Sequence, residues 1–230
     1  MVINKRVIEA TFLKRPNRFQ AYVNVNGEEV MVHVPNTGRC KEILIPGCTV
    51  ILREENSPLR KTKYDLIAGY KNDKLINIDS QIPNKVVEEA LKNKKINKLI
   101  KYNKIEREKT FKNSRFDFKL EDDKCNIYYL EVKGVTYEYN GLAKFPDAPT
   151  DRGRKHILEL IEAKKEGAGA GILFLIQMEN VKSFSPFDEI DLKFGNVLRN
   201  AEKNNIDIFA YNCSLSPNYI ELKHSIPIFL

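Results

Sequence analysis

Residues 114–134 read "SRFDFKLEDDKCNIYYLEVKG". Side chains alternate along a strand, so Phe116, Phe118 and Leu120 share one face while Arg115, Asp117 and Lys119 share the other. In the second run Leu130 and Val132 oppose Tyr129, Glu131 and Lys133. Folded as antiparallel neighbours through "EDDKCN", the two runs bring Asp117 beside Glu131, with Lys133 one pleat further along. Two carboxylates held together raise one another's pKa and are commonly stabilised by a divalent cation. An oxygen-only set of this kind suits Mg2+ or Mn2+. Such a site could hydrolyse a phosphodiester: the metal activates water and neutralises charge on the phosphate, while Lys133 orients the water or stabilises that charge. The plain alternative is a solvated outer face on which the acids pair with Lys133 or Arg115. Asp followed later by Glu-x-Lys is a weak pattern and leaves both open.

The flanking segments favour the metal site. "QIPNKVVEEALKN" predicts a helix, with Pro83 in its first turn and Val86, Val87, Ala90 and Leu91 as its apolar stripe. Strands are expected at "KIEREKTF", "SRFDFKL" and "NIYYLEVKGVT", then a hairpin through Asn140 and Gly141. Thr150 caps a predicted helix, "DRGRKHILELIEAKKEG", with Asp151 in its first turn and lysines near its end. The strand "AGILFLIQ", the helix "DLKFGNVLRNAEKNN" and the strands "IDIFAYN" and "YIELK" complete the order α, β, β, β, α, β, α, β. That order predicts a mixed sheet flanked by helices over residues 81–230.

Residues 1–80 have a different texture. "RVIEATFLKR", "FQAYVNV", "EEVMVHV", "CTVILRE", "YDLIAGY" and "KLINID" read as short strands, with Asn26-Gly27 as a hairpin turn. Strands with no helix beyond a brief turn near "TGRCKEIL" predict a small closed barrel, OB-like or SH3-like.

The formal charge of +7 favours an anionic partner, although a Lys-, Asn- and Ile-rich chain can also carry a merely solvated basic surface. Arginine placement is more specific. Lys14, Arg15 and Arg18 surround the turn in "LKRPNRF", and Arg39 and Lys41 sit in the loop of "NTGRCKE", so these five are candidate nucleic-acid contacts. The four cysteines are scattered without C-x-x-C spacing, which predicts neither a zinc site nor a disulfide framework, and a reducing cytoplasm is expected. The longest apolar run, "GAGAGILFLIQM", is too short to span a bilayer. There is no phosphate-binding G-x-x-x-x-G-K-[ST] loop, dinucleotide fingerprint or G-x-S-x-G turn, which argues against nucleotide-driven motors, hydride transfer and serine hydrolysis.

Asp117, thirteen intervening residues and "EVK", placed after a helix bearing Glu88 and Glu89, resemble the core of the PD-(D/E)xK nuclease superfamily. Phe116 stands where that motif has proline. A closer resemblance runs through "LKRPNRFQAYV", "HVPNTGRCKE", "PNKVVEEAL", "SRFDF", "LEVKGVT", "FPDAPTDRGRKHILEL" and "SFSPFDEID", which in this order are similar to the SfsA, or sugar fermentation stimulation, family. This resemblance implies DNA binding, an N-terminal OB-like domain and a C-terminal nuclease-like domain. The superfamily motif implies Asp117 and Glu131 as metal ligands, Val132 as a backbone-carbonyl ligand, Lys133 as the catalytic lysine and Glu89 as a third, helix-borne carboxylate. Glu88 and Glu89 flank the apolar stripe about equally, so geometry does not choose between them. Arg152 and His156, four apart on one helix flank, are expected to hold a phosphate at the rim of the site or to be solvated. The rival function is a non-catalytic DNA-binding regulator of sugar-utilisation genes. RNA is a further candidate partner, because an OB-like barrel does not distinguish the two nucleic acids.

Overall fold

The computed structural model describes all 230 residues. The first strands are β1 (Val7–Asn17), β2 (Gln20–Val25), β3 (Glu28–His33), β4 (Thr49–Glu54), β5 (Tyr64–Lys71) and β6 (Lys74–Asn77). They form one sheet in the order β3-β2-β1-β4-β5-β6. A parallel bridge from His33 to Asp65 joins β3 to β5 and closes the first five strands into an OB barrel, with β6 added outside. Asn26 and Gly27 turn the β2–β3 hairpin with positive φ (53° and 95°), and the Asn24 side chain accepts the Gly27 N–H at 2.8 Å. The "TGRCKEIL" segment makes turns and no helix.

The second half begins with α1 (Ile82–Lys92), then β7 (Tyr102–Phe111), β8 (Ser114–Asp122) and β9 (Ile127–Val135) as a meander. β10 (Tyr137–Tyr139), β11 (Leu142–Phe145), α2 (Asp151–Lys165), β12 (Gly169–Ile176), β13 (Ser183–Pro186), α3 (Asp188–Lys203), β14 (Asp207–Ser216) and β15 (Tyr219–Ser225) follow. The main sheet runs β15-β14-β12-β9-β8-β7, with β9, β12 and β14 parallel and the outer strands antiparallel. β13, only four residues long, ending in proline and not expected as a strand, pairs parallel with β11 in a small three-stranded sheet.

Alternation along β12 sorts the layers. Leu173 and Leu175 pack with Val86, Val87 and Leu91 of α1. Ile172 and Phe174 face the other way, into a core with Ile157 and Leu160 of α2 and Phe194 and Leu198 of α3. That second core contains 33 buried residues and continues through Val181 and Ile76 into the barrel residues Val23, Val32 and Leu52. The two halves therefore share one hydrophobic interior. Backbone pairing reinforces the junction: Asn77 N–H donates to the Gln177 carbonyl at 3.0 Å, and the buried Gln177 amide donates to Asn77 Oδ1 at 2.8 Å.

No helix is long and apolar enough to cross a membrane, and all four cysteines are free.

Candidate active site

The β8–β9 ladder pairs Glu121 with Ile127 through Phe118 with Leu130, and stops just before Asp117 and Glu131. Beyond that point the strands part. Val132 N–H, which the next rung would have satisfied, donates instead to Asp117 Oδ2 at 2.8 Å. The strand also changes face here: Phe118 and Leu120 lie in the core under α1, whereas Phe116 joins the core under α2 and meets the His156 ring edge-on. Simple alternation put all three on one face, and the fork resets it at Asp117.

The second Asp117 oxygen, Oδ1, accepts from the Asn84 amide at 2.7 Å. Asn84 lies in the first turn of α1, and that turn sits close to β9 because residue 134 is glycine: a Cβ there would strike Gln177 and would lie 2.8 Å from Pro83 Cγ. Burial, followed by the neighbouring charge of Glu131, raises the Asp117 pKa above the usual aspartate value; the bonds from Val132 and Asn84 only partly offset this.

Glu131 is 2 % exposed and faces α2. Its Oε1 accepts from Lys133 Nζ at 2.5 Å and meets His156 Nδ1 at 2.6 Å, while Oε2 is buried without any hydrogen-bond partner. Burial disfavours its charge most strongly, but His156 and Lys133 together outweigh that and hold its pKa below the ordinary glutamate value. One carboxyl is thus pushed toward the neutral form and its neighbour kept ionised. No group of three or more His, Cys, Asp or Glu side chains forms a ready-made metal cage. A hard divalent cation here would draw on the two carboxylates, a backbone carbonyl, and water or phosphate oxygens, which suits Mg2+-type chemistry. The orphaned Glu131 oxygen fits that demand.

The expected helix carboxylate is not part of this group. Glu89 pairs with the N-terminal ammonium of Met1 at 2.8 Å and is 46 % exposed, and Glu88 pairs with Lys92 at 2.6 Å and Arg107 at 3.3 Å. Asn84, one turn earlier than Glu88, is the α1 residue that reaches Asp117. His156 also differs from expectation: it is 5 % exposed and buried against Glu131, so Arg152 alone of that pair stands at the surface rim. Sequence reading missed Asn84 altogether, although its place off the apolar stripe and in the first helical turn was visible.

All five basic residues predicted in the barrel line one cleft of about 890 Å³, with Ala148 of the second half also on its wall. Lys14, Arg18, Arg39 and Lys41 are exposed there. Lys14 also pairs with Glu29 at 2.9 Å and lies over the Tyr22 ring. Arg15 is different. Its Nη1 donates to the Gly38 and Arg39 carbonyls, both at 2.8 Å, and its Nη2 to those of Arg18 and Asn36 at 2.7 and 2.6 Å. That guanidinium is committed to shaping the loop rather than free to meet a phosphate. In the same loop Asn36 Oδ1 accepts the Gly38 N–H at 2.6 Å, and a Cβ on Gly38 would lie 2.6 Å from Asp147 Oδ2, so "PNTG" is a turn packed against the second half of the chain.

Comparison with known proteins divides the chain in two. Residues 13–78 match the SfsA N-terminal OB domain, and residues 81–219 match the sugar fermentation stimulation protein RE domain. The sugar fermentation stimulation protein homologs of Clostridium perfringens (strain 13 / Type A) and Clostridium acetobutylicum are 66 % and 63 % identical over 230 residues, covering 100 % of both chains in each case. A solved structure described as Pyrococcus furiosus SfsA in complex with Ca2+ is 27 % identical, covers 100 % of both chains and superposes with a TM-score of 0.90.

Proposed function

The chain belongs to the SfsA family of sugar fermentation stimulation proteins, and from that premise we propose that it binds DNA and hydrolyses phosphodiester bonds with Mg2+ or Mn2+ held at Asp117 and Glu131. The observation behind this reading is a half-buried aspartate beside a buried glutamate at a strand fork, the first disfavoured in its charged form and the second with an orphaned oxygen. The Ca2+ complex of the Pyrococcus relative, alike in fold over the whole chain, supports a divalent site in this family.

Asp117, Glu131 and the Val132 carbonyl would hold the cation. When bound, it supplies a Lewis acid for charge developing on the phosphate and lowers the pKa of water. The chain's own groups prepare that place. Val132 N–H and Asn84 fix the Asp117 carboxylate by bonds to each oxygen. His156 fixes Glu131, leaving Oε2 unshared. Lys133, whose ammonium rests on Glu131 Oε1, is the cation that would orient the attacking water or take up charge on the phosphate. The barrel over residues 1–80 would grip the strand through Lys14, Arg18, Arg39 and Lys41, and residues 81–230 would carry the chemistry.

Incubating pure protein with linear, nicked, branched and single-stranded DNA in Mg2+ or Mn2+ tests the proposal. Breakage by wild type, abolished in Asp117→Ala, Glu131→Ala, is expected; indistinguishable behaviour of the two on every substrate contradicts the enzymatic reading. Glu89, spent on the N-terminus, gives the non-catalytic regulator its one specific support, since no third carboxylate joins the pair. Sequence-selective binding without breakage is what that rival predicts, and RNA competing better than DNA would redirect either reading to RNA.

A further inference from the structure

A second cleft, of about 500 Å³, opens where β8 has parted from β9 beside the start of α2, and no residue lining it is hydrophobic. Arg115 of β8 and Arg152 and Lys155 of α2 stand around it, with His156 among the lining residues. Because His156 also touches Glu131, the cleft lies next to the carboxylate pair with one side chain shared between them. It is separate from the barrel cleft, with which it has no lining residue in common.

The cations here are only partly spent within the protein. Arg152 uses Nε on His156 Nε2 at 3.5 Å, the limit of a hydrogen bond, and is otherwise exposed. Arg115 lies 3.5 Å from the exposed Glu108, and Lys155 donates to the Asn113 carbonyl at 3.0 Å. The acid at the cleft, Asp151, turns to Arg154. The first turn of α2, a helix of 15 residues, borders the same space and adds the positive end of its dipole. An independent feature points to a ligand. Ser114, 4 % exposed and lining the cleft, has a buried hydroxyl with no hydrogen-bond partner. An orphaned hydroxyl costs stability unless something accepts from it or donates to it. Three cations, a helix start and a free hydroxyl together select a compact anion with several acceptor oxygens.

We propose that this cleft is a subsite for a phosphate group of the nucleic-acid strand, flanking the bond at the Asp117–Glu131 centre; it rests on the DNA-binding part of the function proposed above. Arg152 and Arg115 supply the charge, Ser114 the neutral hydrogen bond, and Lys155 the rim. The phosphate is either an internal diester or a strand-end monoester, and both present non-bridging anionic oxygens to these groups.

The test uses the full-length protein in EDTA, so that neither metal nor cleavage enters the readout. Fluorescence anisotropy gives the affinity for a short duplex over a range of salt, for wild type, Arg115→Gln/Arg152→Gln and Ser114→Ala. Both arginines are exposed, so the double variant is expected to fold. Its log K against log salt should be shallower by about 0.9, the loss of one phosphate contact on duplex DNA. Ser114→Ala should weaken binding by about five-fold, as for one hydrogen bond. A series of duplexes, each with one neutral methylphosphonate, locates the contact: one position should weaken wild type and leave the double variant unaffected. A matching pair of duplexes with 5′-phosphate and 5′-hydroxyl ends assigns the contact to a strand end if only the phosphorylated duplex distinguishes wild type from variant, and to the internal backbone if both do; if neither does, the subsite is overturned. An unchanged salt slope in the double variant, with the same methylphosphonate profile as wild type, overturns the subsite while leaving DNA binding intact. A wild type with no salt-dependent DNA affinity overturns the subsite and the DNA-binding reading together, whereas binding without cleavage in Mg2+ removes only the enzymatic claim.

Discussion

Two clusters of buried and half-buried carboxylates sit in this molecule, and they are built on opposite principles. In the barrel, Arg53 donates to Glu55 at 2.7 Å, Asp65 at 2.8 Å and Asp79 at 2.9 Å. Arg60 and His33 add contacts to Asp65, Lys5 adds one to Glu55, and Gln81 N–H donates to the remaining oxygen of Asp79 at 2.9 Å. Every carboxylate oxygen there has a partner. Burial opposes the charge of Asp65, but its bonds to Arg60, His33 and Arg53 outweigh this and hold its pKa below the usual aspartate value. At the strand fork the reverse holds: Asp117 is pushed up and Glu131 Oε2 has nothing. A balanced cluster fastens the barrel to the start of α1, and the unbalanced one keeps a carboxylate oxygen without a partner.

Removing the cation at the centre of the balanced cluster should have the largest effect on folding. Arg53→Leu leaves three acids short of a shared partner and should lower stability by about 3–5 kcal/mol, measured by urea unfolding. The same cluster sets an acid limit. For a carboxyl with a depressed folded-state pKa, as Asp65 and Glu55 both have, the stabilisation is fully present above the ordinary carboxylate range and is lost as pH falls through that range toward the lower folded values. Wild type should therefore lose stability more steeply than Arg53→Leu on acidification below about pH 4. Parallel acid profiles would show that the barrel cluster is not the balanced one.

A smaller effect is expected at the fork, and on metal rather than on folding. His156→Ala removes the group that orients Glu131, so Mn2+ affinity followed by electron paramagnetic resonance should weaken by about 10–100-fold. An unchanged affinity in a folded variant would reduce His156 to a packing residue.

The difference between the clusters also explains what could be read in advance. Asp117 and Glu131 were legible as neighbours because alternation and a short connection nearly force it. The face switch at Asp117 was not, since it arises where β8 leaves β9 and its backbone partner is replaced by a side chain. The helix contribution was misread for a similar reason. The apolar stripe of α1 orients the helix but does not say which polar residue lies over the fork, and Glu89 is claimed by Met1, a partner that local spacing cannot reveal. His156 was noticed for its spacing from Arg152, yet its burial depends on β9 lying beneath α2. β13 is four residues ending in proline and borrows its strand character from β11. Arg15 was grouped with its basic neighbours by composition, whereas only the folded loop exposes the four carbonyls that occupy it. The barrel itself was legible as a run of hairpins, and the His33–Asp65 closure distinguishes it as an OB arrangement.

The central claim is that the unbalanced pair is a divalent-cation site. Crystals soaked in Mn2+ and measured for anomalous scattering address it directly. One strong peak is expected between Asp117 and Glu131, within bonding distance of Glu131 Oε2 and the Val132 carbonyl, and absent in Asp117→Ala, Glu131→Ala. Full occupancy of Mn2+ elsewhere with no peak at the fork would contradict it.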